Sequence, residues 1–296
     1  MLNLSPKLIL TWLIKDFFKI VMFAVLVSCG AVYFVLQMPN QYSSNATVIS
    51  NFDSGRNLGG GTLGKLSGLA GISLSGSGSK YSPEILKEML LSTDFLGPFI
   101  QENNFAPVII AAEGIDDSGF LFNEKLFDSK NNLWVRKVTY PQEKKPSNLE
   151  VANKFKEFFI VNYRKRSGLI ELSFMSYSPE FSKKVLSLLI SSFNHFLKEK
   201  DLAESEDKLT YLKAELETSR RIEINTVLQQ LVEDEYKKLS LAHTRSEYAL
   251  RILEEPQLAV LKSGPKRGII CIGVVFVSTM SFILFLLIFR IFKEKT

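Results

Sequence analysis

From Gly268 to Phe289 the chain reads GIICIGVVFVSTMSFILFLLIF, without a charged residue. A helix crosses the hydrocarbon core of a bilayer with about 20 apolar residues, so this stretch predicts a membrane span. Pro265-Lys266-Arg267 precede it, Arg290, Lys293, Glu294 and Lys295 follow, and the sequence ends at Thr296. Whatever the chain does is therefore expected ahead of this anchor, or from the anchor itself.

A second apolar run, Phe17–Met38, is interrupted only by Lys19. It exceeds the roughly 7–15 residues of a signal-peptide core, and Gln37-Met38-Pro39 is a poor cleavage site, so a retained span is expected. Lys7, Lys15 and Lys19 precede the run, and no charge follows it until Asp53. The positive-inside rule then puts the N-terminus in the cytoplasm. Charges around the last span decide nothing, since Lys262, Lys266 and Arg267 rival Arg290, Lys293 and Lys295. Two spans with the first oriented place residues between Pro39 and Pro265 outside the inner membrane of a bacterium. The net charge of +5 clusters near the two apolar runs, a membrane-flank pattern rather than a nucleic-acid face. Cys29 and Cys271 both sit inside those runs, which gives no sign of a disulfide framework.

The expected fold class is an α+β membrane protein, in which two transmembrane helices flank a periplasmic α/β base domain carrying an extended helical hairpin. The expected boundaries are a cytoplasmic start over 1–16, a span over 17–38, the base over 39–177 and the arm over 178–246. A return strand and Pro-containing segment fill 247–267, a second span 268–290 and a cytoplasmic tail 291–296. Gln41–Ser50 is rich in Thr, Val, Ile and Ser and predicts a strand. Ser82-Pro83 starts a helix expected to run to about Glu102 and to break or kink at Gly97-Pro98. Leu149–Asn162 predicts a second helix, and the alternation in Ser167–Ser176 predicts a strand. Asn131–Thr139 is left between irregular chain and a short strand. Ser178-Pro179-Glu180 opens a region free of Pro and Gly to about Thr244, with Leu209, Leu212, Leu216, Val227, Leu231, Leu239 and Ala242 at helical spacing. One rod of about 60 residues would extend roughly 90 Å and strand its end far from the bilayer. The region is therefore expected to fold back around Thr218-Ser219-Arg220, with Glu247–Leu253 rejoining the base as a strand.

Chemistry is sparse. His195 and His243 both lie in the arm without a partner at ligand spacing, and a lone helical His is usually a surface or packing residue. Gly59, Gly61 and Gly64 satisfy GxGxxG, but no βαβ unit surrounds them, and Leu66 stands after Lys65 where a phosphate loop needs Ser or Thr. Asp116-Asp117 and Glu233-Asp234-Glu235 read as solvated faces. No catalytic, cofactor-binding or metal-binding residue is assigned. The Gly/Leu-rich stretch Gly55–Gly78 is too apolar for a free linker and is expected to pack against a neighbour or the membrane face. In the last span, Gly268, Gly273, Ser278 and Ser281 would permit close helix approach.

Leu66–Leu74 with Ser92–Leu96, Tyr236–Leu253 and Pro256–Arg267 together resemble the Wzz-type chain-length determinants, the class 1 polysaccharide co-polymerases of bacterial inner membranes. Leu66–Leu74 (LSGLAGISL), running into Ser92–Leu96 and Glu102-Asn103-Asn104, looks like the family's Gly/Leu loop and following helix. Tyr236–Leu253 (YKKLSLAHTRSEYALRIL) looks like its descending helix and last strand. Pro256 to Arg267 looks like its Pro-rich segment, though Val260 stands near a missing proline, Gly264 separates Ser263 from Pro265, and Val277 replaces a second glycine of the span. The resemblance implies a non-catalytic regulator of O-antigen chain length in lipopolysaccharide synthesis, with no cofactor. It implies a homo-oligomeric ring acting on a membrane polysaccharide polymerase, with the growing polysaccharide as a further candidate partner. Pro256, Pro265, Lys266, Gly268 and Gly273 become candidate polymerase or subunit contacts, and Leu66, Leu69, Ile72 and Leu74 a candidate oligomer-interface loop. The rivals are a co-polymerase for capsule or exopolysaccharide, a two-span periplasmic sensor, and an anchored enzyme. The short tail after the last span is expected to hold neither a kinase nor a sensor output domain.

Overall fold

The computed structural model describes residues 6–52, 81–219 and 222–295. In chain order the first elements are α1 (Pro6–Gln37), β1 (Tyr42–Ser50), α2 (Pro83–Leu90), α3 (Thr93–Glu102) and α4 (Ala106–Ala111). Then come β2 (Ala112–Asp116), β3 (Gly119–Phe122), β4 (Phe127–Asp128), β5 (Leu133–Trp134), α5 (Asn148–Lys156), β6 (Phe159–Arg164) and β7 (Leu169–Ser176). The chain finishes with α6 (Pro179–Thr218), α7 (Ile222–Thr244), β8 (Leu250–Glu254) and α8 (Arg267–Lys295). These fall into two units, one formed by the residues up to Gln41 and from Ser263 on, the other by Tyr42–Lys262.

The first unit is a helix pair. Lys15–Gln37 and Arg267–Phe289 are each 23 residues long and apolar enough to cross a membrane. Helix α1 starts well before the apolar run, at Pro6. Phe23 stacks on Phe282 with centroids 4.2 Å apart, and Ala31 and Val35 are buried. Arg267 donates to the Met38 carbonyl at 2.8 Å and to Asn40 Oδ1 at 3.1 Å. Gln41 N–H donates to the Gly264 carbonyl at 2.9 Å, and the Ser263 N–H donates back to Gln41 at 2.8 Å. The chain leaving α1 and the chain entering α8 are thus tied together.

The second unit is built on an antiparallel sheet in the order β6-β7-β1-β8. Its strands alternate as half-buried strands must. Ser44, Ala46 and Val48 of β1 and Ile170, Leu172 and Phe174 of β7 all point into the core. The register sets Ala46 opposite Leu172 and Val48 opposite Ile170. Gly168, at φ +72°, supplies the left-handed residue that closes the β6–β7 hairpin. The first half of α6 brings Val185, Leu186, Leu189, Ile190 and Phe193 into the same core. Phenylalanine rings fill it: Phe155 stacks on Phe174 at 4.9 Å, and Phe95 meets Phe193 edge-on at 5.1 Å. Burying each such ring contributes about 1.5–3 kcal/mol.

Two local expectations are corrected. The break after Ser82 falls at Leu91-Ser92, not at Gly97-Pro98. Ser92 Oγ accepts from the Phe95 N–H and caps a new helix. Pro98 sits inside α3, where the carbonyl it leaves without its helical partner is that of exposed Asp94 in the first turn. Leu149–Asn162 is not one helix. Helix α5 ends at Lys156, and Phe159–Arg164 pairs with β7, Phe159 opposite Phe174 and Val161 opposite Leu172. Val151, Phe155 and Phe159 fit a helical stripe, but cross-strand burial wins the last of them for the sheet.

The start of α5 is held by an ion pair. Arg136 donates to Glu150 at 2.7 and 3.0 Å and to the Lys144 and Glu143 carbonyls at 2.7 and 2.6 Å. Glu150 also accepts from the Ser147 N–H in a capping box. The Arg136 hydrogen bond, helped by Ser147 and opposed by burial, lowers the Glu150 pKa from 4.5 to about 2. A depressed carboxylate stabilises the fold above its unfolded pKa and loses that contribution as pH falls through the folded value. We expect the full chain in detergent to lose about 2 kcal/mol of unfolding free energy between about pH 5 and pH 2 from this pair. Arg136→Met should flatten that limb. An equally steep acid loss in the variant, measured by denaturant titration, would refute the assignment.

Gly97 lies where α3 meets the start of α5, and a Cβ there would come 2.6 Å from Asn148 Cβ. Gly97→Ala gains about 1 kcal/mol in helix propensity but overpacks at a cost of about 1–3 kcal/mol. A net loss of up to about 2 kcal/mol is expected in chemical unfolding, and a stabilised variant would contradict the close approach.

Candidate functional site: the hairpin root and the segment ahead of the last helix

Helices α6 and α7 form an antiparallel hairpin. Lys198 Nζ reaches the His243 carbonyl, Ser205 Oγ lies 3.1 Å from Glu235 Oε2, and Asn225 Nδ2 reaches the Ser219 carbonyl. The chain reverses between Thr218 and Ile222, as expected, although Arg220 and Arg221 lie outside the described residues. Leu202, Leu209, Leu228 and Ala242 are buried, while Ile224, Val227, Leu231 and Tyr211 remain exposed. The acidic run of α7 is not wholly a solvated face. Glu235 turns inward, 9% exposed, toward Ser205 and Lys238, whereas Glu233 pairs with Lys237 on the surface. Its position on the seam, opposite Ser205, is what separates it from its neighbours.

At the hairpin root, Asn194 of α6 is buried and spends its whole amide on the returning chain. Its Oδ1 accepts from the Ala249 and Leu250 N–H groups at 2.7 Å each, and its Nδ2 donates to the Leu250 carbonyl at 2.9 Å. One turn beyond the core half of α6, Asp201 accepts from Tyr81 Oη at 2.6 Å and from Tyr248 Oη at 2.8 Å. Phe52 packs between those rings, at 5.1 Å from Tyr81 and 5.4 Å from Tyr248. A cavity of about 350 Å³ opens beside them, lined also by Lys208, Glu235 and Lys238. Sequence reading missed Asn194 and Asp201. Both stand at inward positions of a helix otherwise apolar on that side, which was the available signal.

Strand β8 begins at Leu250, slightly later than Glu247, and the chain after it is neither helix nor strand up to Lys262. Pro256 is buried, Pro265 half-buried and Lys266 exposed. Gly268 and Gly273 are exposed, with nothing within 4 Å of an added Cβ. Neither glycine serves the packing of α8 on α1 within the chain. Leu66, Leu69, Ile72 and Leu74, with Gly59, Gly61, Gly64 and Lys65, lie outside the described residues. His195 is exposed, 3.8 Å from Glu199, and His243 is exposed on α7. Among the described residues no group of three or more His, Cys, Asp or Glu side chains could hold a metal ion. Asp116 accepts from Ser118 at the β2–β3 turn, and those hydrogen bonds lower its pKa.

No family model and no curated protein matches the chain. Among solved structures, a full-length bacterial polysaccharide co-polymerase is similar at 11% identity and a TM-score of 0.37, covering 99% of this chain and 98% of its own. A fragment of WzzB, a polysaccharide co-polymerase from Salmonella Typhimurium, is similar at 11% identity and a TM-score of 0.31, covering 76% of this chain and 100% of its own. Two helices are long and apolar enough to cross a membrane by length and composition, and the α/β body and helical hairpin are seen in this chain's own packing.

Replacing Asn194 with Leu leaves two N–H groups and a carbonyl without their partner in the core, at about 1–3 kcal/mol for each group stranded. Asn194→Leu should lower stability by at least about 3 kcal/mol and speed hydrogen exchange at the Ala249 and Leu250 amides. Unchanged protection there would disprove the clamp.

Proposed function

We propose that this chain is a non-catalytic regulator of polysaccharide chain length, the O-antigen of lipopolysaccharide being the expected glycan. It acts as an oligomeric co-polymerase of the bacterial inner membrane on the membrane polymerase that joins the repeat units. The observation that carries this reading is the architecture. Two helices able to cross a membrane are tied together at one end through Arg267 and Gln41, and the chain between them forms one α/β base whose long helix α6 doubles back as a hairpin. The sequence resemblance over Tyr236–Leu253 and Pro256–Arg267 falls on α7, β8 and the segment entering α8.

Regulation by this molecule needs contacts rather than bond-making. In the membrane, Gly268 and Gly273 of α8 are each exposed, and at either one an approaching helix meets no side chain beyond hydrogen. Outside it, Ile224, Val227 and Leu231 of α7 leave an apolar stripe that a neighbouring subunit would bury. The ring, the polymerase contact and the periplasmic position of the base belong to this proposal.

Deleting the gene in its host should change the modal length of surface polysaccharide without abolishing polymerisation, and complementation should restore it. Gly273→Leu or Pro265→Ala should shift the length while membrane insertion persists. A lipopolysaccharide gel with the same length distribution in the deletion strain would defeat the reading, and loss of insertion alone in the variants would reduce α8 to an anchor.

A further inference from the structure

The segment between β8 and α8 exposes its apolar side chains. Leu258 is 48%, Val260 89% and Leu261 82% exposed. Single exposed hydrophobic residues are ordinary, but three within one short strap are not scattered. The strap is held at both ends. Ser44 Oγ donates to the Gln257 carbonyl at 2.8 Å, and the Gln257 N–H reaches Asn45 at 3.4 Å. At the other end, Ser263 and Gly264 both donate to the Gln41 carbonyl. Pro256 and Gly264, which bound the strap, are themselves buried. The backbone is thus hydrogen-bonded just before Leu258 and just after Lys262.

We propose that Leu258, Val260 and Leu261 insert into the lipid interface. This rests on α8 being a span. From Leu261 to Arg267, where α8 begins, the chain extends at most about 20 Å, so these side chains stay within reach of the headgroup layer. Lys262 and Lys266 follow at once and are exposed. Apolar side chains followed by cations are the composition of an interfacial anchor, in which the first enter the acyl boundary and the second meet anionic headgroups. Among the described residues no strand or helix covers the strap; Glu254 and Glu255 lie on its far side and Lys262 and Lys266 on the side of the apolar helix, so the cations are the charges nearest an anionic lipid surface.

The test uses the full chain with Cys29→Ala and Cys271→Ala, reconstituted in phosphatidylethanolamine–phosphatidylglycerol vesicles. Nitroxide labels are placed through Leu258→Cys, Val260→Cys or Leu261→Cys. Glu255→Cys provides an aqueous reference and Phe276→Cys a hydrocarbon reference. The strap labels should collide with oxygen, relative to a water-soluble nickel chelate, severalfold more than the label at position 255, and should report a depth about 5–10 Å into the headgroup–acyl boundary. Strap labels that match position 255 while position 276 reads as hydrocarbon would overturn the inference and leave the span intact. Broad, immobile spectra shielded from both reagents would overturn it in favour of a second copy covering the strap. A label at position 276 in water would remove the span and the inference together.

Discussion

The Asn194 amide is the contact on which the rest of this chain depends. The hairpin of α6 and α7 carries the polypeptide away from the sheet, and something must bring it back in register before α8. A buried asparagine can meet two N–H groups and one carbonyl at once, and Asn194 does so on Ala249 and Leu250. An apolar side chain at that place would leave buried backbone groups without partners, a cost that hydrophobic contact does not recover. With Leu250 fixed, β8 pairs with β1 from Ser50 toward Thr47, and a register shift at Thr47/Val48 lets Glu254 reach Thr47.

The same logic runs outward along α6. Asp201, held by two tyrosine hydroxyls, marks where the helix passes from core to arm. Beyond it the seam is thin: Leu209 and Leu228 are buried, with Ser205 and Glu235 as its polar contact. A hairpin with one narrow seam keeps its other sides free for partners. Its exposed stripe on α7, the exposed glycines of α8 and the apolar strap before Lys262 are three surfaces of one molecule whose activity, as proposed, is association with membrane, polymerase and copies of itself.

Much of this was legible because the strongest signals are local. Both spans, the strands at Tyr42–Ser50 and Leu169–Ser176, the Ser178-Pro179 start and the fold-back near Thr218 follow from length, period and capping chemistry. The misreadings share a cause. Phe159 continues a helical stripe from Val151 and Phe155, yet it lies opposite Phe174 in the sheet. Pro98 looks like a breaker, yet Asn104 and Ser92 bound the element around it: Ser92 caps its start, and Asn104 takes a left-handed φ of 55° just past its end. Glu235 belongs to an acidic run, yet its position on the helix turns it toward Ser205.

The sequence by itself determined that this chain has two apolar helices, that the polypeptide between them is a mixed α/β body, and that the long helical region must reverse. Those follow from bilayer thickness, side-chain period and chain connectivity, which need no knowledge of neighbours. Only the tertiary structure decided which polar side chains go inside, where β6 replaces helix, and which apolar ones stay out. Asn194, Glu235 and Val260 look unremarkable in the string of letters. Their roles come from what lies opposite them: a returning backbone for the first, a serine across the seam for the second, and open space for the third.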